Sequence, residues 1–262
     1  MPQAAQDDHA LAARLATEAG RLLVDLRARW ADGDERPGGA GGESGDLARE
    51  LGREGDRMAH DLLAAGLAEA RPHDAVLSEE GVADPARLAA ARVWIVDPLD
   101  GTREYGEVPR TDWAVHVALV IDGQPVAGAV ALPARGLTLA TRPAPPLPPA
   151  WGGRPRVVVS RSRPPAEAAL VADALGGDLV PCGSAGAKAM AVVQGEADVY
   201  PHSGGQYEWD SAAPVAVARA AGLHASRLDG SPLAYNRPDP YLPDLLICRP
   251  DLADRVIAAI RG

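Results

Sequence analysis

The sequence predicts a layered α/β protein, and three observations predict it. Helix-patterned and strand-patterned stretches alternate along the second half of the chain, which favours stacked layers. A chain of 262 residues that is 47% hydrophobic can bury a sizeable core, in one large domain or two intimate ones. An apolar run, Val93-Trp94-Ile95-Val96, is β-branched at three of its four positions and suits a buried strand.

In chain order, Asp7 and Asp8 cap a first helix. Its apolar positions Leu11, Leu15, Leu22, Leu23 and Leu26 recur at helical spacing up to Trp30. Residues 31–45 are rich in glycine and charge and read as a mobile loop, either a lid or surface slack. A second helix falls within residues 47–70, with Met58, Leu62, Leu63 and Leu67 on its apolar face, and Arg71-Pro72 ends it. Residues 75–77 form a short strand leading into Ser78-Glu79-Glu80. A short helix at residues 85–90 precedes the central strand, which is expected to end at Asp97 because Pro98 cannot continue a ladder. Residues 113–121 and 125–132 flank Asp122-Gly123 as a hairpin, and residues 137–141 add a strand. The proline-rich stretch 143–149 reads as a connector, which gives an N-terminal unit at 1–142 and a C-terminal unit at 151–262. Beyond it the pattern alternates: strand 157–159, helix 164–175, strand 179–180, helix 184–194 and strand 198–200. Helix 211–221, strand 245–248 and a final helix at 251–260 complete it.

The formal charge of -10, with no basic tract, argues against a nucleic-acid partner. An acidic protein acting on an anion needs metal ions to reverse the local field. Cys182 and Cys248 lie in apolar, strand-like contexts and read as buried thiols rather than a disulfide. No 18-residue apolar run and no basic-then-apolar leader appears, so no membrane association is expected and a cytoplasmic setting is the simplest.

The chemistry concentrates in W-I-V-D-P-L-D-G-T, Trp94 to Thr102. Asp97 and Asp100 converge at the mouth of a strand, and carboxylates with carbonyls are the ligand set of a hard cation such as Mg2+. The Gly101 N–H and the Thr102 hydroxyl suit a phosphate. Taken alone, D-P-L-D-G reads equally well as a polar turn. The other acidic positions also have plain readings: Glu79-Glu80 as a solvated turn, Asp210 as a helix cap, Asp56 as a surface carboxylate.

Three segments in order change that balance: Ser78-Glu79-Glu80, Trp94 to Thr102, and Trp209-Asp210-Ser211-Ala212-Ala213-Pro214. On them the chain resembles the Mg2+-dependent, lithium-sensitive phosphatase family that includes inositol monophosphatase, over most of its length. It is most similar to CysQ-type members, the actinobacterial ones above all, which act on 3'-phosphoadenosine 5'-phosphate. That closer likeness rests on Asp97 to Tyr105, Gly183 to Lys188, Glu208-Trp209-Asp210, Gly222 to Leu233 and Tyr235-Asn236.

The resemblance implies an αβαβα sandwich, the inositol monophosphatase or sugar phosphatase fold, and two or three Mg2+ ions. Glu79, Asp97 and the Leu99 carbonyl would hold the first ion. Asp97, Asp100 and Asp210 would hold the second, and Glu79 with water a third. Gly101 and Thr102 would take the scissile phosphate. Asp56, paired with Thr102, would orient and deprotonate the attacking water. One departure stands out: Arg53 occupies the place of a family threonine three residues before that aspartate, and Glu54 competes for the role of Asp56. On the nucleotide side, Arg103, Ser160, Arg161 and Glu208 fall in matching segments, and Gly183 and Ser184 fit ribose contact. Lys188 would face a second phosphate or else be an exposed helix lysine. His202, Tyr207 and Tyr235 are candidate pocket residues, whereas Trp209 reads as packing. His116 alternates with Val115 and Val117 and reads as a structural histidine.

The implied reaction converts 3'-phosphoadenosine 5'-phosphate to AMP and phosphate, and the sulfated form to adenylyl sulfate, in sulfate assimilation and nucleotide recycling. Rival substrates are inositol phosphate, fructose 1,6-bisphosphate and histidinol phosphate. A rival of another class is a metal-dependent binding protein without turnover, whose mark would be a missing ligand; none is missing. A P-loop reading fails for want of G-x-x-x-x-G-K. A homodimer is common in the resembled family.

Overall fold

The computed structural model describes residues 6–32, 44–82 and 84–262. The loop expected at 31–45 lies outside them except at its ends, where helix α1 (Gln6–Asp32) closes and α2 (Ser44–Ala70) opens. The strands β1 (Ala75–Ser78), β2 (Arg92–Asp100), β3 (Ala114–Ile121), β4 (Gln124–Leu132) and β5 (Leu137–Ala140) form one sheet in that order. β1 runs parallel to β2 and the rest are antiparallel. Asp122 and Gly123 both take positive φ, 50° and 71°, as the tight β3–β4 hairpin requires.

A second sheet is built from β6 (Arg156–Ser160), β7 (Asp178–Cys182), β8 (Val199–Tyr207), β9 (His224–Ser226) and β10 (Tyr241–Cys248), in the order β7-β6-β8-β10-β9. Helices α3 (Thr102–Gly106), α4 (Ala166–Leu175), α5 (Ala185–Val193), α6 (Glu208–Ala220) and α7 (Ala253–Arg261) complete the chain.

Strand periodicity explains the layering. On β2, Trp94 and Val96 pack into a core with α1 and α2, while Val93 and Ile95 face α5 and α6 on the other side. On β6, Val158 joins that same middle core, whereas Val157 and Val159 face α4 and α7. The result is helix, sheet, helix, sheet, helix, the predicted αβαβα order. Both sheets are covered on both faces, which is why β2 reads as an unbroken apolar run.

Several expectations need correction. β2 does not stop at Asp97. It continues to Asp100, and the register shifts between those two residues, so Pro98 sits where no ladder N–H is needed. The short helix α3 was not expected, nor was β9. β8 runs on past Tyr200 through Gly204 and Gly205, residues of poor strand propensity, because β10 pairs with it as far as Tyr207. α6 begins at Glu208 rather than Ser211. The two cysteines are free, as expected.

Candidate active site

Three carboxylates meet where the sheets' layers adjoin. Asp97 and Asp100 leave the irregular end of β2, and Asp210 is the third residue of α6. An oxygen from each lies within 4.8 Å of the others. Asp210 Oδ2 also accepts the Tyr207 N–H at 2.7 Å. The same carboxylate therefore caps α6 and joins the cluster.

Asp100 is held by the C-terminal half of the molecule. Its oxygens accept N–H bonds from Ala185 (3.1 Å) and Gly186 (2.5 Å), in the first turn of α5. Ser184 caps that helix by accepting the Ala187 N–H at 3.1 Å. Below, fully buried His116 places Nε2 3.2 Å from Asp100 Oδ2, and its Nδ1 lies 3.0 Å from the Trp209 carbonyl. His116 is thus more than a structural histidine, since it supports the cluster from beneath.

These partners split the carboxylates electrostatically. Burial would raise Asp100, but His116 and the Gly186 N–H outweigh it and hold that carboxyl below the usual range. Asp97 accepts the Leu99 N–H at 3.1 Å, and its surroundings outweigh that bond. Burial first, then Glu79, Asp100, Asp210 and Asp56, push it well above the usual range. Burial and Asp100 push Asp210 up to about 7. An all-oxygen, carboxylate-rich set of this kind suits a hard divalent ion.

Glu79 stands at the exposed rim, outside the triad, and burial and the charge of Asp100 raise its pKa. Asp56 lies on α2, buried at 7% exposure, and its Oδ1 has no hydrogen-bond partner. Burial, Glu79 and Glu80 raise it to about 8. Glu54 instead pairs with Arg57 on the surface and does not compete. The expected Asp56–Thr102 pair is not formed. Thr102 opens α3, and its hydroxyl turns back to donate to the Leu99 carbonyl at 3.3 Å. Gly101 takes φ +89°, and a Cβ there would come within 2.8 Å of Ser184 Cβ, so only glycine fits this close approach.

A cleft of about 440 Å³ opens above the carboxylates. Arg103, Ser160, Gly183, Ser184, Lys188 and His202 line it along with Asp100, Gly101, Thr102 and Asp210. Arg161 does not: its guanidinium binds Glu104 and Glu107, both at 2.7 Å. Glu208 does not either. It is fully buried, and its carboxylate accepts the N–H groups of Asn236 and Arg237 at 2.7 and 2.8 Å. Tyr235 is buried with its hydroxyl 3.2 Å from that of Ser211, and Tyr207 stacks on Trp209 outside the cleft. Lys188 is not an exposed lysine. It is 3% exposed, and its ammonium donates to the carbonyls of Gly183 and Ser184.

Sequence reasoning read His116 as a structural histidine without its tie to Asp100, and missed the α5 amides, Arg163 and Asp112. Asp112 accepts the Gly183 N–H at 2.6 Å, and its carbonyl accepts that of Ser184. No local pattern marks these residues, because each acts on a segment far away in sequence.

A model of the inositol monophosphatase family matches residues 6–143 and 156–261. The chain is 50% identical over 271 residues to the 3'-phosphoadenosine 5'-phosphate phosphatase of Mycobacterium leprae, covering 99% of this chain and 95% of that one. It is 34% identical over 202 residues to the 3'(2'),5'-bisphosphate nucleotidase CysQ of Escherichia coli K12, covering 71% and 80%. The crystal structure of CysQ from Bacteroides thetaiotaomicron, a bacterial member of the inositol monophosphatase family, aligns with a TM-score of 0.75 at 28% identity, over 93% of this chain and 97% of that one.

Proposed function

The chain belongs to the inositol monophosphatase family, and from that premise we propose that it is a 3'(2'),5'-bisphosphate nucleotidase. It hydrolyses the 3'-phosphate of 3'-phosphoadenosine 5'-phosphate to give AMP and phosphate. The observation that carries this reading is the meeting of Asp97, Asp100 and Asp210 within 4.8 Å, beside the Gly101–Thr102 turn.

Asp97, Asp100 and Asp210 would hold Mg2+, with Glu79 and the Leu99 carbonyl at the margin. The donor set fits: it is all oxygen, carboxylate-rich and clustered at a cost that a divalent cation offsets. When bound, Mg2+ supplies charge neutralisation for the phosphate dianion, a lowered pKa for water and stabilisation of the departing alkoxide. The chain's own residues do the rest. The Gly101 N–H and the Thr102 hydroxyl bind the phosphate and fix its orientation. Asp100, locked by the α5 amides and His116, keeps one ligand position from drifting. Asp56 takes the proton of the attacking water. Burial, and after it Glu79 and Glu80, raise its pKa to about 8, which makes its carboxylate a stronger base than an ordinary aspartate. Water adds to phosphorus, the P–O3' bond breaks, and the ribose oxygen leaves with a proton from solvent.

Phosphate release from the purified protein with Mg2+ tests this. Turnover of 3'-phosphoadenosine 5'-phosphate should exceed that of inositol 1-phosphate, fructose 1,6-bisphosphate and histidinol phosphate, and millimolar Li+ should inhibit it. Preference for one of the other three esters would move the chain elsewhere within the family. No release from any of them would make it a binding protein.

A further inference from the structure

We propose that Arg87, acting through Asn236 and Glu208, is a positioning residue that fixes Asp210 in the carboxylate cluster. The inference rests on the hydrolase reading above and deepens it, because it names what keeps one carboxylate of the cation site in place.

The three carboxylates are not equally well anchored. Asp97 and Asp100 belong to β2, where they pair with His116 and Ala114 of β3. Asp210 depends on the first turn of α6. Pro214, inside that helix, has no N–H to give the Asp210 carbonyl, so the first turn is tied less firmly to the turns that follow. The bond from the Tyr207 N–H to Asp210 is local and moves with the turn. From β3, His116 Nδ1 lies 3.0 Å from the Trp209 carbonyl, and a single hydrogen bond leaves a turn free to pivot. The body of α6 offers little resistance to sliding. None of its buried residues from Ser211 to Ala218 is larger than valine. It packs so closely that a Cβ on Gly128 of β4 would stand 3.1 Å from Ala216 Cβ. Small side chains allow this approach but make only shallow ridges.

A lock outside the helix supplies what α6 lacks. Glu208, its first residue, is fully buried, and its two carboxylate oxygens accept the N–H groups of Asn236 and Arg237 at 2.7 and 2.8 Å. The Glu208 N–H donates to the Pro240 carbonyl at 2.8 Å. Residues 236–240 therefore grip this one residue by its side chain and by its backbone. Arg87 grips that segment in turn. Its guanidinium donates to Asn236 Oδ1 at 2.6 Å and to the Arg237 carbonyl at 2.8 Å, and the Asn236 amide donates back to the Arg87 carbonyl at 3.0 Å. Asn236 takes φ +59°, a left-handed conformation that asparagine tolerates, and in it the N–H meets Glu208 while the side chain meets Arg87. Arg87 is 3% exposed, on the short 3-10 helix Pro85–Ala89 that connects β1 to β2. The chain of bonds thus ties the turn bearing Asp210 to the sheet bearing Asp97 and Asp100. Two nitrogens of one planar fork serve two acceptors, which an ammonium on a flexible stem does not reproduce. Mg2+ requires near-octahedral ligands at about 2.0–2.1 Å, so a carboxylate that drifts weakens its binding.

Isothermal titration calorimetry with Mg2+, below the Tm of every variant, tests this without turnover. The wild type is compared with Arg87→Lys, Glu208→Gln and a control, Val256→Ala. Val256 is buried in a different core, with α4 and β6, so its truncation destabilises the fold without touching the lock. Arg87→Lys and Glu208→Gln should each raise the Mg2+ Kd roughly tenfold or more. Saturating Mg2+ should restore most of kcat in Arg87→Lys, with KM for the phosphoester unchanged. Val256→Ala should lower Tm in EDTA and keep the wild-type Kd. A wild-type Kd in Arg87→Lys, whatever its Tm, overturns the proposal; if that variant does not fold, a wild-type Kd in Glu208→Gln overturns it. A wild type that takes up no Mg2+ overturns the metal-dependent hydrolase reading itself, so the two failures are distinguishable.

Discussion

Asp97 shows how a residue of the candidate site sits in tension with folding. It is 1% exposed and surrounded by Glu79, Asp100, Asp210 and Asp56. Burial first, and then the negative charges around it, push its carboxyl well above the usual range. Asp56 (about 8) and Asp210 (about 7) are raised for the same reason. For a carboxyl whose folded pKa is raised, the folded state binds more protons than the unfolded chain between the two pKa values. Its stabilising contribution is therefore complete below the unfolded value and is lost as pH rises through the folded one. Thermal denaturation in EDTA should accordingly show Tm falling from pH 6.5 to pH 8.5, with a smaller fall in Asp97→Asn. That same variant should lose phosphate release by at least about a hundredfold in the presence of Mg2+. A flat or rising Tm over this interval would contradict the electrostatic picture.

The first turn of α5 is the element on which the site's precision depends. Its amides aim at Asp100, and its cap is the Ser184 hydroxyl. There is no slack beneath it, since a Cβ on Gly186 would strike the His116 ring. Ser184→Ala removes the cap and should cost about 1 kcal/mol of stability, read from urea denaturation. The same change should lower kcat by more than that figure predicts, because fraying of α5 releases Asp100 from its two N–H partners. Equal, small effects on stability and kcat would show that α5 does not orient Asp100.

The whole molecule brings the three carboxylates together across its middle layer. Asp97 and Asp100 come from the first sheet, and Asp210 from the helix between the sheets. A cation bound by all three ties these layers and binds only the folded chain. Mg2+ at about a hundred times its Kd should add about 2.7 kcal/mol of stability, visible as a raised Tm that EDTA reverses. Asp210→Asn should lose most of that gain. No helix among the described residues is long and apolar enough to cross a membrane.

The sequence by itself determined the layered α/β class and the hairpin at Asp122-Gly123, which follow from periodicities and turn chemistry confined to a few neighbouring residues. The candidate carboxylates were legible only through the likeness of three separated segments to a known family. Only the tertiary structure decided which polar groups are free and which are spent. Arg161 and Arg163 occupy one tetrapeptide, as Glu208 and Asp210 occupy one helix turn. Arg161 and Glu208 are consumed by partners dozens of residues away, while Arg163 and Asp210 face the cleft. Hydrogen-bonding capacity is limited, and its allocation depends on which distant segments the packed layers bring within about 3 Å.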